Sequence, residues 1–410
     1  MHHATDASLD AQTDKLLALG MTKTPSKVME FTDEPKLPDF VCTPNPSYCT
    51  HVPRNELEDV VGQSTNLNAS LARLKATAEC IERICLFEPE GTYPQHGYDA
   101  NQQCVNPADF VHFSRSQLRD TKEFYDVLVK ATFRWTSAFE HTEEKKVLIP
   151  CQTAFLQPYG DEPIIGEQIS TGAAFATTLD DTILRGIFEV IERDALITAY
   201  FSRNVKRAAI TNPELDTLLP YLKRYALDVH LFDITSDFGI PTIMAMTLDR
   251  SGQGPAINIG AKTHFSAARA ALGAVYESIQ SRRVVRYKWD TEGKQITDQK
   301  DMHNIVDRCY FWYPLKMIEL LQWMLDLKKT VTPVDSPLRA VSEVISLFRD
   351  REYHVYSVNL AHPQMTRDGW HCQKVIIPEL HPMWIDESLR CGYSKHAGEL
   401  DIKGVTHPFT

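Results

Sequence analysis

Three groups of four residues recur along this chain with the spacing i, i+4, i+7, i+10. They are Ala72, Ala76, Glu79 and Glu82; Thr182, Gly186, Glu189 and Glu192; and Ala270, Ala274, Glu277 and Gln280. That spacing keeps all four side chains on one face of an α-helix. Each face reads small, small, acidic, then acidic or amide. Small side chains let a ligand or a second backbone approach the helix. The carboxylates beyond them are hard oxygen ligands suited to Mg2+, which takes one or two of them together with substrate phosphates. Arg83, Arg193, and Arg282 with Arg283 accompany the three faces. The chemistry this predicts is a nucleotide–metal site shared by three helices. Three solvated faces with salt bridges are the alternative, since an exposed ion pair contributes little. Against it, Phe188 and Leu196 flank or share the middle face, and the small residues match in all three.

Local signals predict the elements that must carry these faces. In the middle stretch, residues 169–195, a Ser170-Thr171-Gly172 turn precedes Thr178, which stands three residues before Asp181 and caps a helix there. Ile183, Ile187 and Val190 mark that helix's core face. The first face is predicted on a helix over 68–87, buried through Leu67, Leu71, Leu74, Ala78, Ile81 and Cys85. The third is predicted on a helix over 266–287, after a strand over 257–262. Other helical signals lie at 116–131, at 314–328, at 338–349 and after Asn212-Pro213, where Pro sits in a first turn. Strands are predicted at VLIPCQTAFL and over 229–235, 241–248, 355–360 and 375–377. Helices and strands mix without the regular alternation of a doubly wound sheet, so the expected class is α/β in the broad sense, a mixed α+β fold. Residues 1–57, punctuated by six prolines, read as an N-terminal extension or wrapping arm, leaving 58–410 as one domain.

Composition narrows the partners. A net charge of −11 argues against nucleic acid. Nine scattered cysteines without a CxxC fit reduced thiols in a cytoplasmic protein. No apolar run approaches a membrane span, and the first twenty residues lack a secretory core.

With those residues in view, LKATAECIER (74–83), the 169–195 stretch and ALGAVYESIQSR (271–282) resemble the three ATP-binding motifs of the YcaO proteins, in order and spacing. FDITSDFGIPTIMAM (232–246) and VIIPELHP (375–382) agree as well. The resemblance implies the YcaO fold, with ATP and Mg2+ held by three helices. It implies cofactor contacts for Ser170, Glu79, Glu82, Glu189, Glu192, Arg193, Glu277, Gln280 and Arg282, with Glu79, Glu82, Glu189, Glu192 and Glu277 on the metal. Departures exist. Gly62-Gln63-Ser64 replaces a Gly-Lys-Gly-like entry, Thr171 a frequent Asn, and Ala176 a frequent Gly. The chain ends His407-Pro408-Phe409-Thr410 where family cyclodehydratases often end HPFP, which makes His407 and Pro408 catalytic candidates through a tail reaching the site.

The resemblance also implies a reaction: ATP-dependent activation of a backbone amide in a ribosomally made precursor peptide. A Cys, Ser or Thr side chain adds to the carbonyl, its oxygen takes a phosphoryl group, and phosphate leaves a thiazoline or oxazoline. Thioamide formation with sulfide and an accessory protein is the enzymatic alternative, and a non-catalytic ATP-binding scaffold the other. Expected partners are the precursor peptide, a separate ThiF-like peptide-recognition protein, a dehydrogenase and a second copy of the chain. The base for the nucleophile is not evident; His407 and His264 are candidates among fifteen histidines.

Overall fold

A computed structural model of the chain describes residues 5–50, 52, 60–87, 93–118 and 121–409. The expected boundary at 57/58 and the terminal Thr410 lie outside them. The chain opens with α1 (Asp6–Leu17) and three short strands, β1 (Ser26–Lys27), β2 (Asp39–Cys42) and β3 (Gly62–Thr65), then α2 (Ala69–Cys85). β4 (Gln95–Gly97), α3 (Thr121–Lys130), β5 (Thr132–Glu140) and β6 (Lys145–Pro150) lead to β7 (Ala173–Ala176) and the long α4 (Leu179–Ser202). Next come β8 (Lys206–Ala208), α5 (Pro213–Lys223), β9 (Leu227–Asp233), β10 (Thr242–Asp249), β11 (Ile257–Thr263) and α6 (Ala267–Gln280). α7 (Arg282–Glu292), α8 (Ile305–Trp312), α9 (Gln322–Leu325), β12 (Thr330–Val331), α10 (Val341–Arg349) and β13 (Tyr356–Asn359) follow. The last elements are α11 (Pro363–Arg367), β14 (His371–Ile376) and a hairpin of β15 (Tyr393–Ser394) and β16 (Gly398–Glu399).

The strands form three main sheets: β1-β2-β3, β11-β10-β9-β8-β12, and β4-β5-β13-β14-β7 with β6 on β5. β3, β11 and β7 are each an edge strand, and each runs directly into one of the stripe helices, α2, α6 and α4. Core residues fill the spaces behind those helices, with Ile183, Ile187 and Val190 packed on Val375 and Phe348 as their spacing predicts. Among the described residues, no helix is long and apolar enough to cross a membrane.

Several local expectations change. On α2 the expected face is met in part: Ile81 at 0% and Cys85 at 1% exposure lie in the core, with Leu74 and Ala78 packed against it. Ala72 and Ala76 of the stripe and the neighbouring Cys80 and Ile84 are also at 0% exposure, and Leu67, which precedes the helix, is 45% exposed. The helix is packed by α1, β3 and β7 together, so its leucines are not the face that decides. The helix expected over 266–287 breaks at Ser281 into α6 and α7. There Arg282 and Arg283 turn inward to buried acids, Arg282 to Glu34 at 3.0 Å and Asp249 at 2.8 Å, Arg283 to Asp39 at 3.1 Å. Two of those acids come from the first 57 residues, whose β2 is the centre of its sheet. The nine-residue strand β5 carried no expectation, and the helix expected over 116–131 is the shorter α3, which starts at Thr121 and ends at Lys130 just before β5.

The C-terminal hairpin is fastened to α4 through one imidazole. His396 donates from Nδ1 to Asp194 at 2.8 Å and from Nε2 to Asp237 at 2.9 Å. Burial pulls its pKa down, but hydrogen bonds and charge from Asp194 and Asp237 outweigh it and raise it to about 9. The folded value lies above the ordinary 6.5, so this contribution is fully present below pH 6.5 and is lost as pH rises through about 9. Thermal unfolding measured across that window is expected to show a fall in Tm that is clearly smaller in His396→Gln.

Candidate active site

Each stripe helix starts a few residues after its edge strand, and capping side chains fix two of the starts. Asn68 accepts from Leu71 N–H at 2.8 Å, and Thr178 accepts from Asp181 N–H at 3.1 Å. Edge strands leave a row of backbone N–H groups unpaired, and a buried N–H without a partner costs about 1–3 kcal/mol. Here the stripe carboxylates take them. Glu79 accepts from Gln63 N–H at 2.9 Å, Glu189 from Gly172 N–H at 3.2 Å, and Glu277 from Ala261 N–H at 3.2 Å. The small residues permit this approach. A Cβ on Gly62 would stand 2.1 Å from the Ala76 carbonyl oxygen, and one on Gly260 2.3 Å from that of Ala274. In the middle unit the tight residue lies on the helix, where a Cβ on Gly186 would stand 2.7 Å from the Gly172 oxygen.

The three units then close on one another in cyclic order: α2 also packs on β7, α4 on β11, and α6 on β3. Two of these joints carry a hydrogen bond from the fourth stripe residue. Glu192 accepts from Thr263 N–H at 2.8 Å. Gln280 donates to the Gln63 carbonyl at 2.6 Å, and Gln63 returns one to the Gln280 carbonyl at 2.8 Å. The equivalent residue at the third joint, Glu82, has no hydrogen-bond donor among the described residues. Burial, then the charges of Glu189 and Glu79, push its pKa up to about 8. Burial, aided by Glu277 and Glu189 and opposed by Lys262 and Arg193, raises Glu192 to about 7.

Cations stand among these acids. Arg83 pairs with Glu79 at 2.9 Å, Arg193 with Glu189 at 3.6 Å, and Lys262 with Glu192 at 3.8 Å. Lys374 on β14 donates to the Ile169 carbonyl, and burial pulls its pKa down to about 8 against the attraction of Glu189 and Glu82. Burial lowers the pKa of Lys75 too, and so do the like charges of Lys262 and Arg185.

Of the residues singled out from sequence, Glu79, Glu82, Glu189, Glu192, Arg193, Glu277 and Gln280 are thus brought together. Ser170 sits in the turn beside Gly172, its carbonyl accepting from Ala173 N–H at 2.9 Å. Arg282 is drawn elsewhere: its guanidinium is 2% exposed and is taken up by Glu34, Asp249 and the Pro255 carbonyl. The tail pair is also elsewhere. His407 is at 0% exposure between Trp384 and Phe409, its carbonyl accepts from Arg308 and Trp312, and burial holds its imidazole well below the usual range. Pro408 is buried with it. A sealed, neutral imidazole has the character of a core residue, which is the place the structure gives this tail. His264 accepts from Ser266 N–H at 2.8 Å, a local turn. Lys262 and Lys374 carried no expectation; the only signal was a lysine inside a strand, β11 for Lys262 and β14 for Lys374.

Excess buried acid around Glu82, next to a group of cations, is what a bound Mg2+ with phosphates would satisfy. Among the described residues no three His, Cys, Asp or Glu side chains form a ready metal cage. An ion here would therefore take one or two carboxylates and complete its shell with phosphate and water oxygens, the usual habit of Mg2+. The fold and site together define an α+β protein in which three edge-strand–helix units bring acidic and basic side chains to one place, a grouping whose chemistry suits phosphate and metal. A family model described as YcaO cyclodehydratase, ATP- and Mg2+-binding, matches residues 63–381, and the chain belongs to the YcaO family. ATP and Mg2+ are its cofactors.

Two curated relatives, an uncharacterized protein in the tfuA 3' region of Rhizobium leguminosarum bv. trifolii and an uncharacterized protein of Methanothermobacter thermautotrophicus, are 27% and 28% identical over 161 and 162 residues. These matches span 36% and 38% of this chain, and 38% and 42% of the relatives' lengths. Among solved structures, a heterocyclase in complex with substrate and cofactor superposes with a TM-score of 0.71 at 16% identity, covering 96% of this chain and 53% of that one. YcaO from Methanopyrus kandleri bound with AMPPCP and Mg2+ gives 0.66 at 15% identity, covering 94% of each chain. The E. coli microcin synthetase McbBCD complex with pro-MccB17 bound gives 0.58 at 14% identity, covering 94% of this chain and 96% of that one. At such identities these likenesses establish the shared fold.

The close strand–helix contact yields a direct test. Gly260→Ala is expected to cost about 1–3 kcal/mol in denaturant unfolding, because the new methyl meets helix backbone, and to weaken ATP binding in the presence of Mg2+. Gly160→Ala, with nothing within 4 Å of the added atom, is expected to stay within about 0.5 kcal/mol.

Proposed function

We propose that this chain activates backbone amides of a ribosomally made peptide with ATP, forming azolines from Cys, Ser or Thr residues. The observation that carries the reading is the open joint at Glu82: two joints of the cyclic site are closed by hydrogen bonds, and at the third the Glu82 carboxyl has no hydrogen-bond donor among the described residues and feels the charge of Glu189. In this reading Glu79, Glu82, Glu189, Glu192 and Glu277 provide the contacts to Mg2+ ions, one or two carboxylates to each ion, with Gln280 orienting Gln63 between two units. Arg193, Lys262, Lys75 and Arg185 supply positive charge for phosphate oxygens, and Ser170 stands at the turn beside them. ATP, bound with Mg2+, supplies the phosphoryl group that turns an amide oxygen into a leaving group. The protein's own work is positioning and charge neutralisation in a water-poor site, the main sources of rate in phosphoryl transfer.

A peptide substrate delivered by a separate protein fits two facts. The chain spans about half of the heterocyclase it superposes on, and the microcin synthetase neighbour was solved as a complex holding its pro-peptide. Thioamide formation with sulfide is the second reading. Burial of His407 favours it, since the tail that resembled the azoline branch lies in the core.

Mass spectrometry of a co-expressed precursor separates the two. Loss of water marks cyclisation, and exchange of oxygen for sulfur marks thioamidation. Neither change, with no peptide-dependent phosphate release, leaves the scaffold reading. Glu189→Gln and Glu82→Gln are each expected to lower peptide-dependent phosphate release by at least about 100-fold with the fold intact by circular dichroism. Wild-type release in either variant removes the three-helix site.

A further inference from the structure

Next to the acidic site lies a cavity of about 130 Å³ that the three stripe helices do not use for their carboxylates. It meets the site at Thr171, Val190 and Lys374, and Phe110, Met383 and Trp384 contribute to its apolar wall. At about 30 Å³ of liquid volume per water, the space is that of a few waters or one short side chain. Two imidazoles, His112 and His381, share the wall with ring centroids 6.3 Å apart.

Their tautomers follow from their partners. His381 Nδ1 lies 2.7 Å from the Pro382 carbonyl, and His112 Nδ1 lies 3.2 Å from the Tyr393 carbonyl. A carbonyl oxygen only accepts, so each Nδ1 carries the proton and each Nε2 keeps its lone pair. His381 is 1% exposed, and its Nε2 has no hydrogen-bond partner among the described residues. A buried acceptor left unmatched is costly and calls for an explanation. The residue is also held in place: its N–H donates to Asp194 at 2.7 Å. Asp194 follows Arg193 on α4, and Arg193 in turn reaches Met383 Sδ at 3.6 Å. The imidazole is therefore tied to the helix that presents Glu189 and Glu192.

The surroundings keep both rings neutral. Burial, then His112, lowers His381 to about 4, against the Pro382 and Cys391 carbonyls and Asp194; burial brings His112 to about 4 as well. Glu167 on the same cavity is pushed up to about 7 by burial, and Lys374 stands at its far end.

Building on the amide-activating reading above, we infer that this cavity seats the nucleophile-bearing Cys, Ser or Thr of the target peptide, and that His381 Nε2 accepts its proton. The S–H or O–H bond breaks with its proton passing to Nε2, and its electron pair forms the new bond to the amide carbon. The carbonyl π pair moves to oxygen, which takes the γ-phosphoryl group as the bond to ADP breaks. The carbon–oxygen bond then leaves with phosphate, which collects the proton from His381. The amide nitrogen releases its proton to solvent as the C=N bond forms. A weak base suffices because the hydroxyl becomes acidic only as it bonds to carbon.

A thiol is a few per cent ionised at neutral pH and a hydroxyl is not, so Ser and Thr depend on the base more than Cys does. The full chain, its precursor peptide, the delivering protein and ATP with Mg2+ make the assay, with matched Ser and Cys precursors. His381→Gln is expected to slow Ser cyclisation about 100-fold and Cys cyclisation about 10-fold or less, with Tm and AMPPCP affinity unchanged. His381→Ala is expected to recover Ser cyclisation when imidazole is added to solution. Leu389→Trp, which fills the cavity from a half-buried wall position, is expected to raise KM for the peptide and spare AMPPCP affinity. Ser cyclisation at the wild-type rate in His381→Gln overturns the inference, as does an equal loss for Ser and Cys without imidazole rescue. A wild-type protein that never cyclises either precursor overturns the amide-activating reading first, and this one with it.

Discussion

The structure depends on a hydrogen bond made three times, from the open edge of a β-strand to a glutamate on the helix that follows it. Each bond requires strand and helix backbones to come closer than a methyl group allows, and Gly62, Gly186 and Gly260 provide that closeness. The same contact does two jobs. It covers an edge that would otherwise present unpaired N–H groups, and it plants a carboxylate at a fixed point. Because the three units pack cyclically, the three carboxylates and their neighbours converge on one place. Burial first, and then like charges held together by backbone geometry, raise the pKa of Glu82 and Glu192, a cost that a bound cation would relieve.

Around this centre the rest of the chain acts as a brace. Glu34 and Asp39, from the first 57 residues, reach buried arginines at the break between α6 and α7, so the early segment fixes the end of the third stripe helix. At the other terminus His407 and Phe409 fill a core with Tyr200 and Trp384, which secures the far end of α4. Asp194 on that helix holds both His381 and His396. Two of the three stripe helices are thus clamped beyond the carboxylates they carry.

The stripes themselves, the cap at Thr178, the start of the first stripe helix near residue 68, and the strand–helix order around 257–280 were legible in the sequence. Each depends on residues close along the chain, where period and capping chemistry are local rules. The buried face read for α2 is right at Ile81 and Cys85 but too narrow, because the helix has packed neighbours on several sides and periodicity speaks for only one. β5 escaped notice because its alternation, with Arg134, Ser137 and Glu140 among apolar residues, is irregular. Arg282 looked like a site residue because it follows a stripe; only the fold brings Glu34 and Asp249 to it.

By itself the sequence determined that three helices carry small–acidic faces and that those faces suit a metal and phosphates, because spacing along a helix dictates which side chains share a side. The tertiary structure decided which face meets which strand, that Lys262 and Lys374 enter among the acids, that Glu82 has no donor among the described residues where the other stripe glutamates have one, and that the tail histidine is sealed away. Those outcomes rest on contacts between residues tens to hundreds of positions apart, where desolvation and charge are set by neighbours that no local pattern specifies.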